Sequence, residues 1–140
     1  MALLASGIEF PPVTRLTIRL DFDNGTALGP GKVRLLEFIA ETGSIRKAAA
    51  QMKMSYRRAW MLLQALDDGF GHPLVATSRG GSKGGGARLT ELGEQVVYRY
   101  RRLEQAASEA GKADAEALGQ HTARETGKRP QARQIRRITK

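Results

Sequence analysis

The sequence has no cysteine, only two histidines and no long apolar run. The missing thiols exclude disulfide bridges, thiolate zinc sites and cysteine nucleophiles. His72 and His121 alone cannot form a histidine metal cage, so the sequence predicts neither a metal nor a cofactor. The apolar runs fall far short of the roughly 20 residues needed to cross a bilayer, and the first residues lack the basic flank of a secretory signal. These absences predict a cytoplasmic protein without a membrane partner.

Catalytic signatures are missing as well. The glycines of segment 80–86 have the spacing of a phosphate-binding loop, but Gly86 stands where such a loop requires lysine. The two histidines lie outside any Ser–His–Asp pattern. The sequence therefore predicts that the protein is not an enzyme.

Positive charge is what the chain has in excess. It carries 23 Lys and Arg against 14 Asp and Glu, a net charge of +9. Between Glu41 and Asp67, and again between Asp68 and Glu91, there are cations but no acid. A solvated surface without a partner would mix the two signs. The two acid-free stretches therefore indicate one binding surface for a polyanion, and nucleic acid is the commonest such partner.

Hydrophobic periodicity divides the first half of the chain into a strand and three helices. Strict alternation predicts a half-buried strand over residues 16–22. Helical spacing predicts helices over residues 30–42, 45–52 and 56–68, the last two starting after the N-caps Ser44 and Ser55. Both of these have one apolar and one basic face, and their joint is very short. This is the pattern of a helix-turn-helix.

The segment after these helices predicts a β-hairpin and a long helix. Strands at 74–77 and 87–90 flank a glycine-rich, cationic tip, which makes the hairpin a wing. A last helix over 91–110, ended by Gly111, carries an apolar heptad spacing that suits a partner helix. Dimerisation is therefore predicted through the following residues of that helix: Val96, Tyr100, Leu103, Ala107 and Ala110. The alternative, packing on the chain's own domain, is favoured for Leu92 and Val96 in the first half of the helix, and a homodimer for the second half.

The predicted fold is mainly α with a small β-hairpin, a winged helix-turn-helix with a long C-terminal dimerisation helix. Its parts are an N-terminal arm (1–13), the DNA-binding domain (14–90), the dimerisation helix (91–110) and a basic, disordered tail (111–140).

The candidate DNA-binding residues follow from this pattern. The first turn of the second motif helix approaches base edges in the major groove. Arg57 is the first choice for reading bases, because it points away from the predicted apolar stripe of that helix, formed by Ala59, Leu62, Leu63 and Leu66. Trp60 is predicted to pack at a helix joint. The full set of predicted DNA-binding residues is Lys47, Gln51, Ser55, Tyr56, Arg57, Arg58, Met61, Gln64, Arg79, Lys83 and Arg88.

Two segments carry a specific resemblance to a known family. The run Met54-Ser55-Tyr56-Arg57-Arg58-Ala59-Trp60 and the glycine wing from Gly80 to Thr90 closely resemble the DNA-binding domain of ModE-type molybdate-responsive regulators, whose helix-turn-helix is LysR-like. The resemblance covers about residues 14 to 110. It implies a homodimer that binds a palindromic operator in double-stranded DNA, with target genes for molybdate uptake or molybdoenzymes.

One departure from that family limits what the resemblance implies. Regulators of this type carry C-terminal β-barrels that hold molybdate, and only 30 residues follow the predicted last helix. The expectation is therefore a regulator without its own oxyanion sensor, acting as a homodimer or as a heterodimer with a longer paralogue. Two alternatives stay open: a winged-helix module for protein interaction, and a non-specific nucleic-acid binder driven by the basic tail.

Overall fold

The computed structural model describes residues 14–81 and 84–123. Four helices and two small antiparallel sheets follow one another along this part of the chain. The elements are β1 (Leu20–Asp21), β2 (Ala27–Leu28), α1 (Pro30–Thr42), α2 (Ile45–Gln51), α3 (Tyr56–Phe70), β3 (Val75–Gly81), β4 (Gly84–Leu89) and α4 (Glu91–Gln120). The predicted fold class, a winged helix-turn-helix with a long C-terminal helix, is confirmed.

The helix-turn-helix forms because each helix end is satisfied locally. The Ser44 hydroxyl accepts a hydrogen bond from the Lys47 amide at 3.1 Å, and the Ser55 hydroxyl accepts one from the Arg58 amide at 3.0 Å. Both predicted N-caps are therefore present, and each satisfies an amide that the helix itself leaves unpaired.

The turn between α2 and α3 is a Schellman motif. The Lys53 amide donates to the Ala50 carbonyl at 3.1 Å, and the Met54 amide donates to the Ala49 carbonyl at 3.0 Å. Lys53 takes the left-handed position with φ of 56°, where glycine is the usual residue. The short link that the sequence shows thus turns the chain within two residues.

The core lies where α1 meets α2, α3 and α4. Small side chains on α2 (Ala48 and Ala49) and Ala59 on α3 let the helices approach closely, and α3 adds Leu63 and Leu66. The remaining buried residues come mainly from α1 and α4: Leu28, Val33, Leu35, Leu36, Ile39, Ile45, Leu74, Val96 and Tyr100. None of the described helices combines the length and apolar content of a membrane span.

The wing is the β3–β4 hairpin. Val75 pairs with Leu89 and Ser78 with Gly86, and the register shifts between Ser78 and Gly81. The stem is tied to the helices because the Ala87 amide donates to the Gly43 carbonyl at 2.8 Å. Lys83, one of the predicted DNA-binding residues, lies outside the described residues.

The N-terminal strand prediction is wrong in extent. Only Leu20–Asp21 forms a strand, and it pairs with Ala27–Leu28. The predicted alternation is present, since Ile18 and Leu20 are half-buried, but these side chains pack against the helical core. The Ile18 carbonyl accepts a hydrogen bond from the Tyr100 hydroxyl at 2.8 Å, in place of one from the backbone amide of a neighbouring strand.

The predicted helix end at Gly111 is also wrong, because α4 continues to Gln120. The residues that follow Gly111 include good helix formers such as alanine, glutamate and leucine. Gly111 lies within the helix, where a Cβ would make ordinary contact with Leu16 at 3.8 Å. Residues 112–120, predicted as disordered tail, are therefore helical, and the part of the tail from residue 124 lies outside the described residues.

Candidate nucleic-acid interface

The first turn of α3 presents its polar side chains to solvent. Arg57 and Arg58 are exposed, and further along the same helix Met61 is 63% exposed and Gln64 is exposed. The opposite side of α3 holds Ala59, Leu63 and Leu66 in the core. The apolar stripe thus fixes the rotation of the helix, and Arg57 points outward.

Exposed polar residues on α2 and the wing accompany those on α3. Lys47 and Gln51 are exposed on α2, and Arg79 and Arg88 are exposed on the wing. Every predicted DNA-binding residue that the structure describes is solvent-exposed. We call the cations of this surface the basic face: Arg46, Lys47, Lys53, Arg57, Arg58, Arg79 and Arg88.

The charges of α2 and α3 on the basic face are not neutralised within the chain. In the described residues no carboxylate lies within 4.0 Å of Arg46, Arg57 or Arg58. Gln64 donates a hydrogen bond to the Asp68 carboxylate at 2.9 Å, which places the first acid of that surface three turns along α3. The arrangement leaves the start of α3 positively charged and its end, which carries Asp67 and Asp68, negatively charged.

A groove joins α2, α3 and the wing. It has a volume of about 250 Å³. Its lining residues come from the first turns of the two helices and from the wing stem: Ser44, Ile45, Arg46, Tyr56, Trp60, Thr77, Ser78, Gly86 and Ala87. We call this site the groove, as distinct from the major and minor grooves of DNA.

Arg46 and Trp60 belong to this surface, although the predicted DNA-binding set does not contain them. The Arg46 guanidinium lies 4.4 Å from the ring centre of Tyr56. Trp60 is 39% exposed and meets Tyr56 edge to face, with ring centres 6.1 Å apart. Trp60 therefore contacts Tyr56 across one turn of α3 at the groove. Arg46 lies two residues after the Ser44 cap in an acid-free stretch, and this position was the sequence signal by which it could have been predicted as part of the surface.

The predicted dimerisation set divides into two parts. Val96 is buried in the chain's own core, as the favoured alternative for the first half of the helix predicts. Tyr100 is wrong as an interface residue, because it is buried in the same core and only 1% exposed. Burial raises the pKa of the Tyr100 hydroxyl, Glu104 raises it further and Arg101 opposes this. By contrast Leu103 and Ala110 are exposed and Ala107 is half-buried, so their role in a dimer stays a prediction.

The described residues offer no grouping of three or more His, Asp and Glu side chains that a metal ion would need. The chemistry available at the surface is thus that of guanidinium, ammonium, hydroxyl and aromatic groups. These are groups that bind phosphates and base edges.

Comparison with known proteins places the match on this same region. Residues 31–94 match the family of bacterial regulatory helix-turn-helix proteins of the lysR type. The chain is 44% identical to the molybdenum transport protein ModE of Azotobacter vinelandii, over 61% of this chain and 32% of that protein. It is 35% identical to the transcriptional regulator ModE of Haemophilus influenzae, over 65% of this chain and 36% of that one.

A solved chain in the crystal structure of the CbnR_DBD–DNA complex is 23% identical, with a TM-score of 0.49, covering 62% of this chain and 94% of that chain. The chain spans about a third of the length of the two ModE relatives.

Proposed function

Because residues 31–94 form a lysR-type helix-turn-helix domain homologous to part of the ModE regulators, we propose that this protein is a sequence-specific, DNA-binding transcriptional regulator. The observation that carries the proposal is the exposed first turn of α3, whose arginines have no carboxylate partner in the described residues. Such a turn carries outward cations to base edges while the leucines stay buried.

In the proposed complex α3 lies in the major groove. Arg57 donates two hydrogen bonds to a guanine, which is the commonest specific contact of arginine with DNA. Met61 and Gln64 reach the next bases, and the Gln64–Asp68 hydrogen bond opens when Gln64 does so. Residues of the helices hold phosphates beside α3: Lys47, Gln51, Ser55, Tyr56 and Arg58. The wing reaches the adjacent groove or its phosphates with Arg79, Lys83 and Arg88.

The protein acts as a homodimer on a palindromic operator in this proposal. The exposed apolar side chains on α4 support it, since Leu103 is 44% exposed and Tyr98 and Leu118 are more so. A dimer of this motif reads half-sites about one helical turn of DNA apart, or a multiple of that. A heterodimer with a longer paralogue would use the same helix.

The targets are proposed from the relatives. One relative is named a molybdenum transport protein and another a transcriptional regulator. We infer that this chain controls genes for molybdate uptake or molybdoenzymes. Selection of bound fragments from genomic DNA with the purified protein tests this, and recovery of fragments without a shared sequence motif would refute sequence-specific binding.

Arg57→Ala tests the assigned reading role. We expect a loss of about 1–3 kcal/mol in binding free energy together with a relaxed base preference, whereas Lys83→Ala weakens binding to all sequences alike. Gel shifts with the selected operator and with point variants of it measure both. Equal, sequence-blind losses for the two variants would contradict the assignment.

Binding driven by the basic tail is separated by truncation. Removing residues 124–140 leaves α4 intact, since the helix ends at Gln120. Sequence-selective binding by the shortened protein supports the regulator, and complete loss of DNA affinity supports the tail-driven alternative.

A further inference from the structure

The groove lies between α3 and the wing. The proposed function places α3 in the major groove of DNA and the wing at the adjacent DNA groove or its phosphates. One wall is the start of α3, with Tyr56 and Trp60, and the opposite wall is the wing stem, with Thr77 and Ser78. The first turn of α2 adds Ser44, Ile45 and Arg46 to the lining. The site is therefore an open groove between the reading helix and the wing.

The walls of the groove are held in place by hydrogen bonds within the protein itself. The Ala87 amide donates to the Gly43 carbonyl at 2.8 Å, which ties the wing stem to the residue before Ser44, the N-cap of α2. The Gly86 amide donates to the Ser78 hydroxyl at 3.2 Å across the hairpin. A binding site whose walls are already fixed loses little free energy to ordering when a ligand enters.

The lining combines a cation, hydroxyls and an aromatic wall. The Ser44 and Ser78 hydroxyls each already accept a backbone hydrogen bond, from Lys47 and Gly86, so each still has its O–H to donate. Arg46 contributes five N–H donors, and the lining includes no carboxylate. Donors and positive charge without an acid match an anionic oxygen ligand.

The aromatic pair does not form a slot for a flat base. Arg46 covers one face of Tyr56 at 4.4 Å, and Trp60 meets Tyr56 at an interplanar angle of 86°. Stacking of a base between rings needs open, parallel faces. An edge-to-face pair instead offers an apolar wall, which suits the non-planar surface of a sugar.

We propose that the groove holds one sugar–phosphate strand of the DNA duplex, with Arg46 bound to a phosphate and the Tyr56–Trp60 pair packed against the adjoining deoxyribose. The inference rests on the proposed function. A helix in the major groove and a wing in the neighbouring groove are separated by one backbone strand of the duplex, and that strand must pass between them. Arg46 and Trp60 thereby become positioning residues, which fix the register of α3 without reading sequence.

Arg46→Gln tests the phosphate contact, and the chain offers a matched control. Arg34 on α1 stacks on Phe38 at 4.5 Å, a cation–π pair of the same kind that does not line the groove. On the operator selected with wild-type protein, Arg46→Gln should weaken binding about tenfold. The slope of log affinity against log salt should fall by about 0.9, the value for one phosphate. Arg34→Gln should change neither quantity.

The loss should be the same on the operator and on its single-base variants, because a phosphate contact carries no sequence information. Replacing operator phosphates one at a time by neutral methylphosphonates locates the contact. Among the positions where this replacement weakens binding of wild-type protein, one per half-site should cause no further loss with Arg46→Gln. Thr77→Val, which removes a lining hydroxyl at constant shape, provides a second variant with a smaller, equally uniform loss.

The outcomes separate the two proposals. If wild-type protein selects an operator but Arg46→Gln behaves like Arg34→Gln, the groove assignment is overturned and the regulator stands. A change in base preference by Arg46→Gln would overturn it too, since Arg46 would then read bases. If wild-type protein binds no DNA, both proposals fail. Thermal unfolding of each variant checks that the fold is kept.

Discussion

The arginines of this protein are used in two different ways on its two sides. On α4, Arg101 forms an ion pair with Glu37 of α1 through two hydrogen bonds of 2.5 and 3.2 Å, and a third of 2.7 Å reaches Glu104. On the basic face, Arg46 rests on an aromatic ring, and Arg57 has no carboxylate within 4.0 Å in the described residues. The same side chain thus joins two helices at one site and stays available at the other.

The pairing has an electrostatic consequence. The hydrogen bonds to Glu37 raise the pKa of Arg101 above its ordinary range despite partial burial, so this charge belongs to the fold. A cation that has no carboxylate partner within the protein contributes little to folding stability. It also breaks no internal ion pair when it binds a phosphate. The comparison predicts that changes on the α1–α4 side alter folding, whereas changes on the basic face alter DNA binding.

Gly93→Ala should give the largest effect on folding. A Cβ at this position would collide with the carbonyl of Leu74, which is backbone and cannot turn aside. We expect the free energy of unfolding to fall by about 3 kcal/mol, the upper end of the range for overpacking, measured by urea denaturation. Gly31→Ala, where the Cβ meets nothing within 4 Å, is the control and should be neutral or slightly stabilising. Equal effects at both glycines would show that α4 does not pack tightly there.

Arg101→Gln comes next. It leaves the half-buried Glu37 and Glu104 carboxylates without their cation, and the unfolding free energy should drop by about 1–2 kcal/mol. Affinity for the operator should stay within twofold of wild type at a temperature where both proteins are folded. Arg99→Gln, an exposed arginine two residues earlier, should be neutral. A loss of DNA affinity without a loss of stability would contradict the division between the two sides.

Tyr100→Phe tests two contributions of the Tyr100 hydroxyl to stability: its hydrogen bond at neutral pH and the effect of its ionisation at high pH. Loss of the 2.8 Å bond to the Ile18 carbonyl should cost about 1 kcal/mol at neutral pH. The pKa of Tyr100 is raised in the folded protein, so the unfolded chain loses this proton first as the pH rises through about 10. Wild-type stability should therefore fall above pH 10 more steeply than that of Tyr100→Phe. Parallel curves for the two proteins would contradict the burial of this hydroxyl.

Lys53→Gly should have the smallest effect and act oppositely on the two properties. Glycine relieves the left-handed backbone at φ 56°, and after its greater freedom in the unfolded chain is allowed for, stability should rise by about 0.5 kcal/mol. DNA affinity should fall slightly on all sequences because a cation of the basic face is lost. Lys53→Ala keeps the strained backbone and removes the charge, so it should lower DNA affinity equally without the gain in stability.

Local signals explain why the helix-turn-helix could be predicted from the sequence. The caps Ser44 and Ser55 and the predicted apolar stripe of α3 each act within a few residues, and both caps are present. Ala59, Leu63 and Leu66 of the stripe are buried, and Leu62 is half-buried at its edge. The exposure of Arg57 followed from the same stripe, because a fixed apolar face fixes the opposite one.

Long-range packing explains the errors. A helix glycine is ordinarily a stop signal, but residues 14–18 run alongside α4, with Thr14 beside Gly119, Leu16 beside Gly111 and Ile18 hydrogen-bonded to Tyr100. A Cβ at Gly119 would collide with Thr14. The heptad spacing predicts Tyr100 at a dimer interface. In the structure its hydroxyl donates to the carbonyl of Ile18, which lies 82 residues away in the sequence. The groove brings together residues from 44 to 87, and no spacing in the sequence indicates that they meet.

Trp60 is the sole tryptophan of the chain, and it borders the surface proposed to meet DNA. Its emission spectrum is therefore an unlabelled optical reporter of one defined site, undiluted by other indoles. Stopped-flow mixing with unmodified oligonucleotides can follow association and dissociation in real time, and collisional quenchers can compare the accessibility of this indole in free and bound protein.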